Sequence, residues 1–225
     1  MILRLIIRTV LWLAVTAALL FGPAATVDWP GAWVMLGELG LVAGGIGLWL
    51  SRHDPRLLRE RMGSIVQRQQ EAWDRLLMTA VLLLWTAWFV LMGADVARNG
   101  LSQVPVWLQA FGGLGIPFCG WLAFLTLREN SYAAPVVKIH EDGGQVPVTT
   151  GPYRLVRHPL YAGAIAYFLG VPLLLGSLWG LVLGPILIGL LAVRAVFEER
   201  TLTNELPGYA DYAARVRYRL IPHVW

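Results

Sequence analysis

Long apolar runs separated by short polar or basic segments dominate the pattern of this chain. Most of these runs approach the roughly 20 residues that a helix needs to cross a bilayer. The pattern therefore predicts an all-α, polytopic membrane bundle of about five to six transmembrane helices. The approximate bounds of the predicted spans are 6–21, 32–50, 76–94, 105–127, 160–175 and 179–197.

The connecting segments refine this picture. Residues 55–70 have the composition of an amphipathic helix on the membrane surface. Pro117 predicts a kink in the fourth span. Tyr209, Tyr212 and Val216 recur at helical spacing and are expected to pack one face against the membrane part. With no internal repeat and no low-complexity linker, residues 1–225 form one domain.

Composition supports a membrane protein. Of the 225 residues, 57% are hydrophobic and 14% are charged, whereas soluble domains carry roughly 25% charged residues. The lone Cys119 excludes a disulfide framework and a cysteine-based metal site, and it is typical of a small buried hydrophobe. Arg4 and Arg8 precede an apolar run without a small-residue cleavage site, which favours a first transmembrane helix over a signal peptide.

The distribution of basic residues predicts the orientation. With the N-terminus in the cytoplasm, 17 of the 18 Lys and Arg residues fall in cytoplasmic segments and only Arg98 falls outside. Such an asymmetry orients membrane proteins. Both termini and the polar segments that flank the last apolar hairpin are therefore expected on the cytoplasmic side. The same distribution makes a nucleic-acid partner unnecessary to explain the positive charge.

Two polar clusters flank that hairpin. The first, residues 149–161, opens on a Gly151-Pro152 turn and ends where Pro159 starts a helix. The N–H groups of a helix start attract anions, although the positive-inside rule alone would also produce a basic loop here. In the second cluster, Arg194 and Glu198 share a helix face, which permits either a functional pair or a structural ion pair.

Two other polar features carry weaker signals. His140, Glu141 and Asp142 are adjacent on a loop without a second histidine nearby, so no metal site is expected. Glu38 lies within the second span, where a carboxylate is a candidate functional group. It also lies less than two turns from the start of that span, and this position favours a snorkelling or structural role.

Taken together, these motifs resemble the isoprenylcysteine carboxyl methyltransferase family of integral-membrane enzymes that use S-adenosylmethionine. Related phospholipid N-methyltransferases share the general pattern. The resemblance spans residues 130–222. The residues that carry it are Gly151, Pro152, Tyr153, Arg157, His158, Pro159, Tyr161, Arg194, Glu198, Glu199, Leu202, Tyr209, Tyr212, Val216 and Pro222.

The resemblance implies a division of the chain. Residues 1–127 would supply transmembrane helices, and residues 128–225 would form the catalytic, cofactor-binding part beneath the cytoplasmic face. Arg194 would face the methyl acceptor, and Glu198 would contact the cofactor and act in catalysis. Family members often carry histidine where this chain has Gln145. Physical reasoning and the resemblance together assign to the cofactor Val148, Tyr153, Arg157, His158, Pro159, Leu160, Tyr161, Glu198 and Glu199.

The acceptor chemistry stays open at this point. A carboxylate, such as that of an S-prenylated cysteine, is already ionised near neutral pH, so it needs orientation by Arg194 but no base. A phospholipid amine would need to lose a proton, which Glu198 or Glu199 could accept. Either acceptor, a lipid or a prenylated small molecule or peptide, would enter laterally from the bilayer. A small transporter is a more distant alternative, because polar groups are scarce in mid-span. A non-catalytic membrane scaffold is another, and the placement of Arg194 with two glutamates argues against it.

Overall fold

The computed structural model describes residues 1–63, 70–97, 102–135 and 145–225. The described residues form helices and connecting segments without a β-strand. The predicted all-α membrane bundle is thus confirmed. The helices are α1 (Ile2–Ala24), α2 (Pro30–His53), α3 (Pro55–Arg61), α4 (Ala72–Ala97), α5 (Val106–Gly113), α6 (Gly115–Glu129), α7 (Pro159–Leu175), α8 (Leu178–Glu205) and α9 (Tyr209–Arg215).

Within the described ranges, five helical stretches are long and apolar enough to cross a membrane: α1, α2, α4, the α5–α6 pair taken together, and α8. The sixth predicted span, α7, has 17 residues, which is about 26 Å of helix against a hydrocarbon core of roughly 30 Å. Helix α7 packs against α2, α5, α6 and α8. It is therefore an inner helix of the bundle, and contacts with its neighbours hold it in place although it is shorter than a full membrane span.

The fourth predicted span is divided at Leu114, between α5 and α6. We expected the irregularity at Pro117, and it lies three residues earlier. Proline has no N–H, so the carbonyl one turn before it loses its helical partner. Glycines at the break then allow close packing on α7. A Cβ on Gly115 would lie 2.5 Å from the carbonyl oxygen of Ala166 in α7.

Helix α3 lies at the end of the bundle where α2 and α6 end and where α4 and α7 begin, which we call the basic end. Its first turn is capped by Asp54, whose Oδ1 accepts a hydrogen bond from the Leu57 N–H at 2.9 Å. Leu57 and Leu58 are buried against apolar residues of α1, α2 and α6. Helix α3 ends at Arg61, earlier than the predicted end at position 70, and residues 64–69 lie outside the described part.

The C-terminal segment closes over the basic end. Tyr209 and Tyr212 are buried and pack with Leu206, Tyr153 and the partly buried Val216, in agreement with the predicted packing face. Beyond α9, the backbone carbonyls of Tyr218 and Arg219 accept hydrogen bonds from the N–H groups of Arg157 and His158, each at 2.9 Å. The chain end thereby fixes the entry to α7.

Candidate functional site

A cavity of about 430 Å³ opens at the basic end, within the range of roughly 300–1,000 Å³ that is usual for small-molecule sites. It lies among α3, α4, α6, α7, α8, α9 and the segments 130–135 and 145–148. Met78, Cys119 and Ala123 form an apolar part of its wall. Cys119 stands about 15 Å of helix before the end of α6. The cavity therefore extends from the polar end of the bundle into its apolar interior.

The structure brings together all but one of the residues assigned from the sequence. Glu199 does not line the cavity, whereas Gln145, the departure from the family pattern, does. The role of each residue toward a ligand remains a prediction. The assigned residues that line the cavity are Val148, Tyr153, Arg157, His158, Pro159, Leu160, Tyr161, Arg194 and Glu198.

Arg194 is held by a partner that the sequence did not reveal. Its Nε lies 2.7 Å from Asp74 Oδ1, and one of its terminal nitrogens lies 3.3 Å from Asp74 Oδ2. The carbonyl oxygen of Pro135 accepts a further hydrogen bond at 2.9 Å, and the Tyr161 hydroxyl accepts one at 2.8 Å. Most of the guanidinium donors are thus engaged, which leaves little capacity for the two-point grip on a carboxylate that we expected.

Tyr161 connects Arg194 to Glu198. Its hydroxyl donates a 2.7 Å hydrogen bond to Glu198 Oε2, and its ring stacks on His158 with centroids 5.3 Å apart and planes 2° apart. No ion pair joins Arg194 directly to Glu198, although the two share a helix face. The structural ion pair considered from the sequence is therefore replaced by a chain from Asp74 through Arg194 and Tyr161 to Glu198. This chain orients a carboxylate at the cavity wall.

Glu199 serves a second network behind the cavity. Its Oε1 accepts hydrogen bonds from Arg157 Nε at 2.7 Å and from His158 Nε2 at 3.2 Å. Its Oε2 lies 2.9 Å from Arg219 Nε and 3.3 Å from a terminal nitrogen of Arg157. A carboxylate that already neutralises these groups is unsuited to hold a ligand. The structure thus favours a structural role for Glu199 over the cofactor contact expected from the sequence.

The start of α7 offers less to an anion than the sequence predicted. Pro159 has no N–H, and the N–H groups of Tyr161 and Ala162 bond to the His158 carbonyl. Because the N–H groups of Arg157 and His158 are taken by the C-terminal segment, only that of Leu160 lacks a backbone partner among the described residues. One donor at a helix start is a weak anion site compared with a full set.

Tyrosine hydroxyls complete the polar wall. Tyr153 accepts a 2.8 Å hydrogen bond from the Asn130 side-chain amide, and burial raises its pKa to about 12, so this hydroxyl stays neutral near pH 7. Burial also raises the pKa of Tyr209. The Tyr209 hydroxyl is buried, lines the cavity and has no hydrogen-bond partner in the described structure. A buried hydroxyl without a partner is costly, so a ligand with a polar group here would relieve that cost.

These features fit S-adenosylmethionine. Its ammonium group suits Glu198, which lines the cavity and is held in place by the Tyr161 hydroxyl. A polar atom of the ligand would satisfy the Tyr209 hydroxyl, and the volume of about 430 Å³ leaves room beside the apolar wall for part of an amphiphile. These groups are therefore compatible with the ammonium group and with a further polar group of this molecule.

Several residues at the site were not assigned from the sequence, and four of them show why. Asp74, at the start of α4, reads as an ordinary polar residue flanking a span, because its partner is 120 positions away. Arg61 reads as one of several basic residues on a surface helix. Asn130 and Tyr209 carry no local signal for a cavity, although Tyr209 belongs to the motif set named above. No local signal marks Asp74, because a charged residue just before an apolar span is usually solvated.

Other polar groups lie elsewhere. Glu38 is half-buried in α2 beside Gly113 and does not line the cavity. Its Oε2 is buried and has no hydrogen-bond partner among the described residues. The loop residues His140, Glu141 and Asp142 lie outside the described residues. Within the ranges that are described, no group of three or more His, Cys, Asp or Glu side chains is placed to hold a metal.

Comparison with known families identifies a similarity. Residues 107–209, a little under half of the chain, match the family model PEMT, phospholipid methyltransferase. The match supports the broader expectation of likeness to integral-membrane methyltransferases, and it does not single out the isoprenylcysteine carboxyl methyltransferases. It includes Tyr153, Tyr161 and Glu198 but not Asp74 or Arg61. No curated protein matches the chain.

Proposed function

We propose that this chain is a membrane-embedded methyltransferase that moves a methyl group from S-adenosylmethionine to a lipid-like acceptor. The observation that carries the proposal is the cavity at the basic end, which joins an oriented carboxylate, Glu198, to an apolar wall inside the membrane helices. The family similarity covers the helices α7 and α8 that contribute Tyr161 and Glu198. The similarity supports methyl-transfer chemistry, and the cavity supports this location for it.

The residues would act by binding and orienting. When bound, S-adenosylmethionine supplies an electrophilic methyl group on its sulfonium. Glu198 would hold the ammonium group, with its own position set by the Tyr161 hydroxyl and, through it, by Arg194. The apolar wall of Met78, Cys119 and Ala123 would exclude water from the acceptor. Methyl transfer depends on alignment and a dry nucleophile more than on acid–base chemistry.

Two acceptor chemistries divide the proposal. A carboxylate acceptor, such as an S-prenylated cysteine, needs no base, and the resemblance of the C-terminal motifs supports it. A phospholipid amine must lose a proton, and Glu198, a carboxylate at the cavity wall, is a group that could accept it. The similarity to phospholipid methyltransferases supports the second chemistry. The loss of Arg194 as a free carboxylate clamp weakens one reason for the first.

Calorimetric titration of the detergent-purified protein with S-adenosylhomocysteine tests the cofactor part. We expect micromolar binding that Glu198→Gln weakens at least tenfold, because an ammonium–carboxylate contact contributes about 1.5–3 kcal/mol. Glu205→Gln is the matched control, since Glu205 is an exposed residue of the same helix. Absence of binding by the folded wild-type protein would refute the proposal.

The acceptor is identified from the product. Membranes that contain the protein are incubated with S-adenosylmethionine carrying a tritiated methyl group, and the lipids are extracted. A methyl ester releases volatile label in alkali, whereas an N-methylated head group retains it. The first result establishes a carboxylate acceptor and the second an amine. Lipids without label above that of membranes lacking the protein would contradict a lipid-like acceptor.

A further inference from the structure

Arg61 is the last residue of the interfacial helix α3, and it lines the cavity. Its helix is fixed in place by the buried side chains of Leu57 and Leu58. One terminal nitrogen of the guanidinium donates a 2.8 Å hydrogen bond to the carbonyl oxygen of Ala133, which belongs to another wall of the cavity. The side chain is therefore held with its charge at the cavity rather than free in solvent.

The other two arginines of the cavity wall differ from Arg61 in one respect. Arg157 and Arg194 each form a two-point contact with a carboxylate, Glu199 and Asp74 respectively, and each donates to backbone carbonyls as well. For Arg61, the structure gives the bond to Ala133 and no carboxylate within ion-pair distance among residues 1–63, 70–97, 102–135 and 145–225. Four of its five N–H donors therefore have no acceptor within the described part of the chain.

A guanidinium in this position favours a particular kind of ligand. Its planar fork matches the two oxygens of a carboxylate or a phosphate, and it stays charged at any physiological pH. Burial lowers the pKa of Arg61, which shows that the surroundings disfavour its unpaired charge. A half-buried cation of this kind is stabilised when an anion binds beside it.

We infer that Arg61 binds the oxyanion, a carboxylate or phosphate, of a ligand in the cavity. The inference rests on the proposed function for the two sources of that oxyanion: the α-carboxylate of S-adenosylmethionine and the anionic head group of the amphiphilic acceptor. In either case Arg61 is a binding residue that complements Glu198, since one attracts the negative and the other the positive part of the ligands.

Paired probes test the inference and separate the two sources. S-adenosylhomocysteine carries a carboxylate, whereas 5′-methylthioadenosine has the same adenosine thioether without the amino-acid part. Dioleoylphosphatidic acid carries a phosphate, whereas dioleoylglycerol does not. Each is titrated calorimetrically into the full chain in dodecylmaltoside micelles. The variants are Arg61→Ala, Arg61→Lys and, as a matched control on the exposed face of α3, Arg59→Ala.

We expect Arg61→Ala to lower the affinity for one anionic probe by about 10- to 100-fold, the effect of losing hydrogen bonds to a charged group. The affinity for the counterpart that lacks the anionic group should not change. Arg61→Lys should fall between, because it keeps the charge and loses the fork. Weaker binding of S-adenosylhomocysteine identifies the cofactor as the source of the oxyanion, and weaker binding of phosphatidic acid identifies the acceptor as that source. Helical circular dichroism of each variant checks the fold, and Arg61→Lys carries the test if Arg61→Ala does not fold.

Two further outcomes are decisive. If Arg61→Ala and Arg61→Lys bind both anionic probes as tightly as Arg59→Ala does, the inference is wrong even though the proposed function stands. If the wild-type protein binds neither adenosine compound, the proposed function fails, and the phosphatidic acid titration alone decides on Arg61. Wild-type protein that binds no anionic probe at all overturns both.

Discussion

Neutralising Asp74 tests how the site is held together. The Asp74 side chain is fully buried and that of Arg194 is 7% exposed. Two N–H groups of Arg194 meet the two oxygens of Asp74, at 2.7 and 3.3 Å. The pair joins α4 to α8, two helices that are 120 positions apart at this contact. Asp74→Asn preserves the shape of the side chain and leaves the guanidinium buried without its counter-charge.

The expected loss of stability follows from this burial. Removing one partner of a buried ion pair costs about 3–5 kcal/mol, because the remaining charge is uncompensated. Arg194 keeps its bonds to the Tyr161 hydroxyl and the Pro135 carbonyl, so the lower end of the range applies. A loss of about 3 kcal/mol corresponds to roughly 100-fold in the folding equilibrium. Arg194→Met should cost a similar amount, since it removes the arginine charge from the buried Asp74 carboxylate, which keeps the hydrogen bond from the Gln70 side-chain amide.

The double variant Asp74→Leu with Arg194→Met is compared with its two single variants, Asp74→Leu and Arg194→Met, so that the interaction between the two residues is measured apart from their other contacts. Replacing a buried ion pair by apolar residues of similar volume is often nearly neutral, so the double variant should be more stable than the sum of single changes implies, by about 2 kcal/mol or more. Unfolding is followed by circular dichroism at 222 nm against the mole fraction of SDS. Asp211→Asn, on the exposed face of α9, is the control.

Additive losses in the double variant, or single losses below about 0.5 kcal/mol, would refute this reasoning, because a buried coupled pair must show an interaction energy. A folded double variant has a second use. It lacks the contact from Arg194 to the Tyr161 hydroxyl, so methyl transfer should fall even where stability is restored. Full activity in that variant would show that Arg194 does not position Tyr161 and Glu198.

Three other predictions concern Tyr209, Glu199 and Gly115. Tyr209→Phe should weaken S-adenosylhomocysteine binding about three- to tenfold by calorimetry without lowering stability, since no described residue hydrogen-bonds to the lost hydroxyl. Unchanged binding, as in the control Tyr218→Phe, would exclude a ligand contact. Glu199→Gln should lower stability by about 3 kcal/mol in the SDS titration, and an unaltered midpoint would contradict its role as the common partner of three basic groups. Gly115→Ala should lose about 1–3 kcal/mol through overpacking on α7, whereas Gly44→Ala, which has open space at its Cβ, should not.

The helices were largely predictable, and the limits of prediction have physical causes. Apolar runs define spans because a bilayer demands them, and the bounds of α2 and α4 extend only a few residues beyond the predicted ones. The helix break was predicted at Pro117 but lies at Leu114, because a proline removes the hydrogen bond of the carbonyl one turn earlier. The short α7 was foreseen as barely long enough, but its inner position depends on packing with four other helices.

The site was predictable only where chemistry is local. Tyr161, Glu198 and their neighbours belong to motifs with fixed spacing, so a resemblance could assign them. The partners that fix their geometry are distant: Asp74 reaches Arg194 across 120 positions, and Glu199 meets Arg157 across 42. Since charged residues at span ends are usually solvated, no local pattern distinguishes an aspartate that neutralises a buried arginine from one that faces water.

The charged residues at the cavity fall into two groups, those that hold the helices together and those that face the ligand. Arg194 and Arg157, each neutralised by its own carboxylate, join α4 to α8 and the C-terminal segment to α7. Arg61 and Glu198 lie at the cavity, and no described residue forms such a two-point contact with either of them. Changes in the networks should therefore alter stability and ligand binding together, whereas changes at Arg61 and Glu198 should alter binding alone. An active site that works by alignment in a dry cavity requires this division, because the groups that hold the walls cannot also be free to hold the ligand.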